Sequence, residues 1–210
     1  MQGTEMKGIV KLAALMLTLA LGLWVPAASA ADDDDDENAV YAKLKALLPP
    51  GPDAKLCLAR SYDARHLKRH PKQTVTKVVL YLRYVPLRDE DAILVSTENG
   101  GTEKRAFRYD FTFAATVKDK GTYYAAGDCA SAEGIGCGVD CDGGGIEIEP
   151  LAGEESVLMR LERIRMTPGC EGEGSEVDLE GGEDDKVFKL GAAPLSVCKK
   201  VQKILDTPLD

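Results

Sequence analysis

Phe107-Arg108-Tyr109-Asp110-Phe111-Thr112-Phe113-Ala114-Ala115-Thr116-Val117 alternates with a period of two. Phe107, Tyr109, Phe111, Phe113, Ala115 and Val117 share one face, and Arg108, Asp110, Thr112, Ala114, Thr116 and Lys118 share the other. Successive side chains of a strand point to opposite faces. One apolar and one polar face predict an antiparallel strand with a single side on a core.

The same pattern extends outward in both directions. Val78, Leu80, Leu82 and Tyr84 alternate with Lys77, Val79, Tyr81 and Arg83. Ile135, Cys137, Val139 and Cys141 share a face opposite Gly134, Gly136, Gly138 and Asp140, and Ile146 and Ile148 alternate with Glu147 and Glu149. Shorter strands are predicted at Lys55 to Ser61, Ala92 to Ser96, Thr122 to Cys129, Ser156 to Leu161 and Lys186 to Leu190. Ser156 to Met166 is compatible with either period, since Val157, Leu161 and Ile164 also suit a helix.

Glu98-Asn99-Gly100-Gly101, Asp119-Lys120-Gly121 and Asp142-Gly143-Gly144-Gly145 supply tight turns between these runs. Local connections and many short strands predict a mainly β fold, an antiparallel meander of about eight strands closed as a barrel. A β-sandwich is the alternative. Either arrangement hides the strand edges.

A short helix is expected near each end of the mature chain. Val40, Tyr41, Leu44, Leu47 and Leu48 form one helical face, stopped by Pro49-Pro50-Gly51-Pro52. Leu195 to Leu205 carries a second stripe of Val197, Cys198, Val201, Ile204 and Leu205, with Pro194 at its start.

The N-terminus reads as an export signal. Lys7 and Lys11 precede the apolar run Leu12 to Val25, and Ala28-Ser29-Ala30 is a small-residue cleavage site. Residues 1–30 are read as a cleavable signal peptide, 31–37 as a disordered acidic tail, and 38–210 as one disulfide-stabilised domain. The run is short for a membrane span, so the mature chain is expected to carry no transmembrane anchor and to be periplasmic or secreted.

Charge is unevenly placed along a chain of formal net charge −9. Asp32 to Glu37 holds six acids and no base, and the loop Glu171 to Asp185 holds eight acids and no base. Outside these stretches the mature chain is mildly basic. From Arg60 to Lys77 there are six basic residues against the single acid Asp63. That segment reads as an anion-binding patch or as an internal partner of the acidic loop. Export and net negative charge argue against nucleic acid as a partner.

Six cysteines, Cys57, Cys129, Cys137, Cys141, Cys170 and Cys198, all follow the leader. Fifteen pairings are possible. Local geometry suggests Cys129 with Cys137 across a hairpin, Cys57 with Cys198 beside the terminal helices, and Cys141 with Cys170. The spacings lack the C-x2-C pairs of zinc sites, thioredoxin-like redox sites and haem attachment.

Few constellations suggest chemistry. His66 and His70 lie four apart, a spacing that places two imidazoles on one helical face as weak metal candidates. Their neighbours are cationic and the Glu of an H-E-x-x-H motif is absent. Asp140-Cys141-Asp142-Gly143-Gly144-Gly145 fails an EF-hand at two ligand positions. No nucleophile elbow, Walker A loop or dinucleotide fingerprint occurs, so neither catalytic residues nor a cofactor are assigned.

The general plan is similar to that of small exported β-barrel proteins, including calycin-like binders and envelope lysozyme inhibitors. The likeness is one of architecture and carries no residue roles. The first functional expectation is therefore a non-enzymatic exported protein that binds a small molecule or envelope component, with Phe107, Tyr109, Phe111 and Phe113 lining the interior or filling the core. The alternative is an interaction or inhibitor module presenting the acidic loop to a cationic envelope protein. An envelope enzyme using His66 or His70 ranks third.

Overall fold

The computed structural model describes residues 35–96, 100–130, 134–140, 142–166 and 177–206. In chain order the elements are α1 (Asp35–Leu47), β1 (Lys55–Ser61), α2 (Ala64–Arg69), β2 (Val75–Pro86), β3 (Ile93–Ser96), β4 (Thr102–Arg105), β5 (Phe107–Val117), β6 (Gly121–Ala130), β7 (Ile135–Gly138), β8 (Gly144–Pro150), β9 (Ser156–Met166), β10 (Val177–Glu180), β11 (Val187–Ala192) and α3 (Lys199–Asp206). A 3-10 turn, Leu195–Cys198, leads into α3.

Eight antiparallel strands close on themselves in the order β9-β11-β1-β2-β5-β6-β7-β8, with β8 pairing back to β9. The expected barrel is present. The ends of the meander are joined where β11 meets β1 at Leu58↔Ala192 and Ala59↔Gly191, while the consecutive strands β8 and β9 pair along most of their length. The ambiguous stretch after Ser156 is a strand to Met166, with β8 along one side and β11 and then β10 along the other.

β10 lies inside the stretch expected as an acidic loop. Val177-Asp178-Leu179-Glu180 pairs with residues 163–166 of β9, while β11 pairs with residues 156–160 of the same strand edge. The two are one interrupted strand position, broken at 181–186. The alternation of Val177 and Leu179 with acids is enough for a strand once β9 offers an edge, and Leu179 is buried.

α1 also begins earlier than expected. Its helix starts at Asp35, so the last three residues of the expected disordered tail are helical. Carboxylates in a first turn face the positive end of the helix dipole, which favours that start.

The interior is built from the apolar faces read in the sequence. Leu58, Leu80, Leu82, Phe111, Phe113, Ile146, Met159, Leu161 and Phe188 belong to one buried cluster. α1 joins it at the end where β5 begins. Tyr41, Leu44 and Leu48 are buried there, Tyr41 packs edge-on against Phe107, and the Tyr109 hydroxyl donates to the Leu48 carbonyl at 3.1 Å. Burial pushes the Tyr109 hydroxyl up to about 12.

A second cluster lies on the outer wall, where Cys57, Val79, Tyr81 and Ala114 are covered by Cys198 and Val201. Cys57 is bonded to Cys198, and Arg83 reaches from β2 to Asp206 at the end of α3. Cys129 is bonded to Cys137, directly opposite it on β7. These are two of the suggested pairings; Cys141 and Cys170 lie outside the described residues. Two disulfides indicate an oxidising, extracytoplasmic environment. β3 and β4 form a separate two-stranded ribbon beyond the barrel, with Leu94 exposed.

Candidate functional site

The aromatic strand face contributes to the core. Tyr109, Phe111 and Phe113 each have 0% of their surface accessible. None of them borders a space that a water molecule can enter. Phe107 is half-buried at the barrel end, stacked near Tyr84 and under Lys45. Tyr109, Phe111 and Phe113 thus belong to the packed core, with Phe107 packed against it.

The opposite end, between β1 and β2, gathers the other residues singled out by the sequence. Asp63 caps α2, its carboxylate accepting from the His66 N–H at 2.7 Å. The basic segment therefore holds a helix of six residues. His66 and His70 are brought together with ring centroids 4.4 Å apart and planes tilted by only 20°. Nitrogen lone pairs lie in the ring plane, so stacked rings do not aim at a common point. Each ring also has its own partner: His66 Nε2 lies 3.0 Å from Gln73 Oε1, and His70 Nδ1 lies 3.7 Å from Asp184. Among the described residues no group of three His, Cys, Asp or Glu is placed to hold a metal ion.

The basic segment and the end of the acidic loop are joined. Lys72 pairs with Glu183, and its backbone N–H donates to Asp184 at 3.1 Å. Asp185 is buried and accepts from the Thr74 N–H and hydroxyl, both at 2.7 Å, and from the Val75 N–H at 3.2 Å. Further along, Asp178 lies between Arg163 and Arg165 at 3.5 and 3.8 Å. The described carboxylates of this segment thus largely face the protein's own cations and amides.

What remains is a cationic face on α2. Arg65, Lys68 and Arg69 are exposed, and none of them forms an ion pair with a described residue. Beside them Arg60 lies over the Tyr62 ring at 5.6 Å, and that ring contacts His66. Burial raises the Tyr62 hydroxyl above its usual range; Arg60 opposes the shift and Asp185 adds to it. The platform is fixed from below by Gln73, Thr74 and Asp185, so its three outward cations are carried on ordered backbone.

Sequence reading found the basic segment and both histidines. It missed Thr74, Gln73 and Asp185, whose roles depend on partners up to 111 residues away. Asp185 was read only as the last acid of the loop Glu171 to Asp185.

Comparisons with protein-family models, with curated proteins and with solved structures found no match for this chain.

Proposed function

We propose that this protein is an exported, non-enzymatic binding domain of the cell envelope, periplasmic or secreted after cleavage near Ala30. It binds a phosphate-bearing envelope component through the cationic face of α2. One observation carries the reading: Arg65, Lys68 and Arg69 form no ion pair with a described residue, while the nearby carboxylates are engaged by His70, Lys72 and Thr74. Guanidinium groups match phosphate oxygens in bidentate geometry and stay charged at any envelope pH. The packed interior supports binding on the outside of the barrel, and the pairing of Glu183 and Asp184 disfavours a cationic protein partner at that segment.

Native purification from envelopes, followed by mass spectrometry of co-purifying lipids and glycans, tests this. Phosphate-bearing molecules should accompany the wild-type protein and be depleted from an Arg65→Glu/Lys68→Glu/Arg69→Glu variant. Lipids or phosphorylated glycans in the eluate identify the source of the phosphate. Equal recovery with the variant overturns the reading.

A further inference from the structure

Three adjacent strands carry an ordered ladder of outward residues beside α3. Lys77, Thr116 and Thr122 are paired in register, and so are Val79, Ala114 and Tyr124 in the next row. Val197, Lys200 and Val201 stand against these rows from the last turns of the chain, enclosing an open cleft of about 130 Å³. Its floor is apolar. Among the described residues its mouth has two lysines and no carboxylate.

That composition is unusual for a chain with 35 acidic and 26 basic residues. Neither Lys77 nor Lys200 is ion-paired with a described residue, and both are exposed. The Thr116 and Thr122 hydroxyls meet at 2.8 Å; one donates to the other, and the proton of the accepting hydroxyl is left to donate to a carboxylate oxygen. Val197 and Leu195 extend the apolar rim at 40% and 48% exposure. The wall formed by the 3-10 turn is fixed covalently, because Cys198 at its end is bonded to Cys57 of β1.

We propose that this cleft binds a small amphipathic carboxylate: a short aliphatic or aromatic acid, with its charge between Lys77 and Lys200 and its body over Val79, Ala114 and Val201. The cleft, at about 130 Å³, is well below drug-sized pockets, which points to a small acid. A singly charged carboxylate suits the site better than a phosphate dianion. Half the surroundings are apolar, and each added charge raises the desolvation cost. The site shares no residue with the α2 face, so either can fail without the other.

Titrating butanoate and benzoate into 15N-labelled protein tests the proposal, with 1-butanol and benzyl alcohol as neutral counterparts. Amide shifts of Thr116, Thr122, Tyr124 and Lys200 should saturate in the millimolar range for the acids, with affinity at least about tenfold weaker for the alcohols. A Lys77→Ala/Lys200→Ala variant should lose about tenfold or more in affinity while keeping its melting temperature. Thr122→Trp, at an exposed rim position, should block the cleft. The proposal is overturned by absence of saturable shifts in these residues, by equal response to the alcohols, or by unchanged affinity in the folded double variant.

Discussion

Thr74 donates both its backbone N–H and its hydroxyl to one oxygen of Asp185, each at 2.7 Å. The Val75 N–H donates to the other oxygen. A buried carboxylate is tolerated when its lone pairs are filled, and here hydrogen bonds rather than a paired cation fill them. The contact fastens the break between β10 and β11 to the start of β2, a place where the barrel wall has no continuous ladder.

Replacing Asp185 should therefore be costly. Asp185→Ala leaves two backbone donors without their acceptor, at about 2–3 kcal/mol. The melting temperature should fall by about 4–12 °C in a domain of this size. Thr74→Ala, which keeps the backbone donor, should cost about half as much. Thermal unfolding of both variants measures this, and equal losses would argue against the double donation from Thr74.

Tyr109 makes stability sensitive to alkali. Burial raises its hydroxyl from 10 to about 12. Between these values the unfolded chain releases a proton that the folded chain keeps. The stability is complete below pH 10 and is lost as pH rises toward 12, by up to about 3 kcal/mol. Tyr62 and Tyr81 are raised by burial as well and act with the same sign. Urea unfolding at successive alkaline pH values should give a shallower decline for Tyr109→Phe, with a residual slope from the other two. The variant also loses the bond to Leu48, at about 1 kcal/mol at neutral pH.

The two disulfides should be unequal. Cys57–Cys198 spans 141 residues and Cys129–Cys137 spans 8. In the chain-entropy model the longer closure restrains the unfolded chain more, by about 5 against about 2.5 kcal/mol. Cys57→Ala/Cys198→Ala should unfold at lower urea than Cys129→Ala/Cys137→Ala. The reverse order would mean that α3 holds to the wall without its bond.

Gly127 marks a close approach of two strands. A Cβ there collides with the Gly138 carbonyl and presses on the Phe111 ring. Gly127→Ala should destabilise by about 1–3 kcal/mol through overpacking and disturbed pairing of β6 with β7. Denaturant unfolding checks this, and a neutral result would mean that the barrel wall yields there.

The legible part of the fold was the part governed by period. Phe107 to Val117 is β5 residue for residue, and Lys55 to Ser61 is β1. The stripe through Val197 and Val201 is the turn and helix on the outer wall. Less legible were elements whose partners are distant. β10 looks like acidic loop until β9 supplies an edge, and Val79, Tyr81 and Ala114 look solvent-facing until α3 covers them. The same limit applied to function. Lys77 and Lys200 are 123 positions apart and become one cleft only when α3 packs on β2. The basic segment from Arg60 to Lys77 was legible as a segment, but which of its cations face the acidic stretch and which do not depends on the folding of residues 183–185 onto it.

The central claim is that these three cations bind phosphate on the envelope. Its most direct measurement is cosedimentation with phosphatidylglycerol-containing vesicles and with immobilised polyphosphate, compared with neutral phosphatidylcholine vesicles. The wild-type protein should bind at least one phosphate-bearing surface, ignore the neutral one, and release as salt rises and screens the contact. The Arg65→Glu/Lys68→Glu/Arg69→Glu variant, folded by its melting curve, should bind neither. Binding by that variant equal to wild type, or no binding of the wild-type protein to any phosphate-bearing surface at low salt, would contradict the claim.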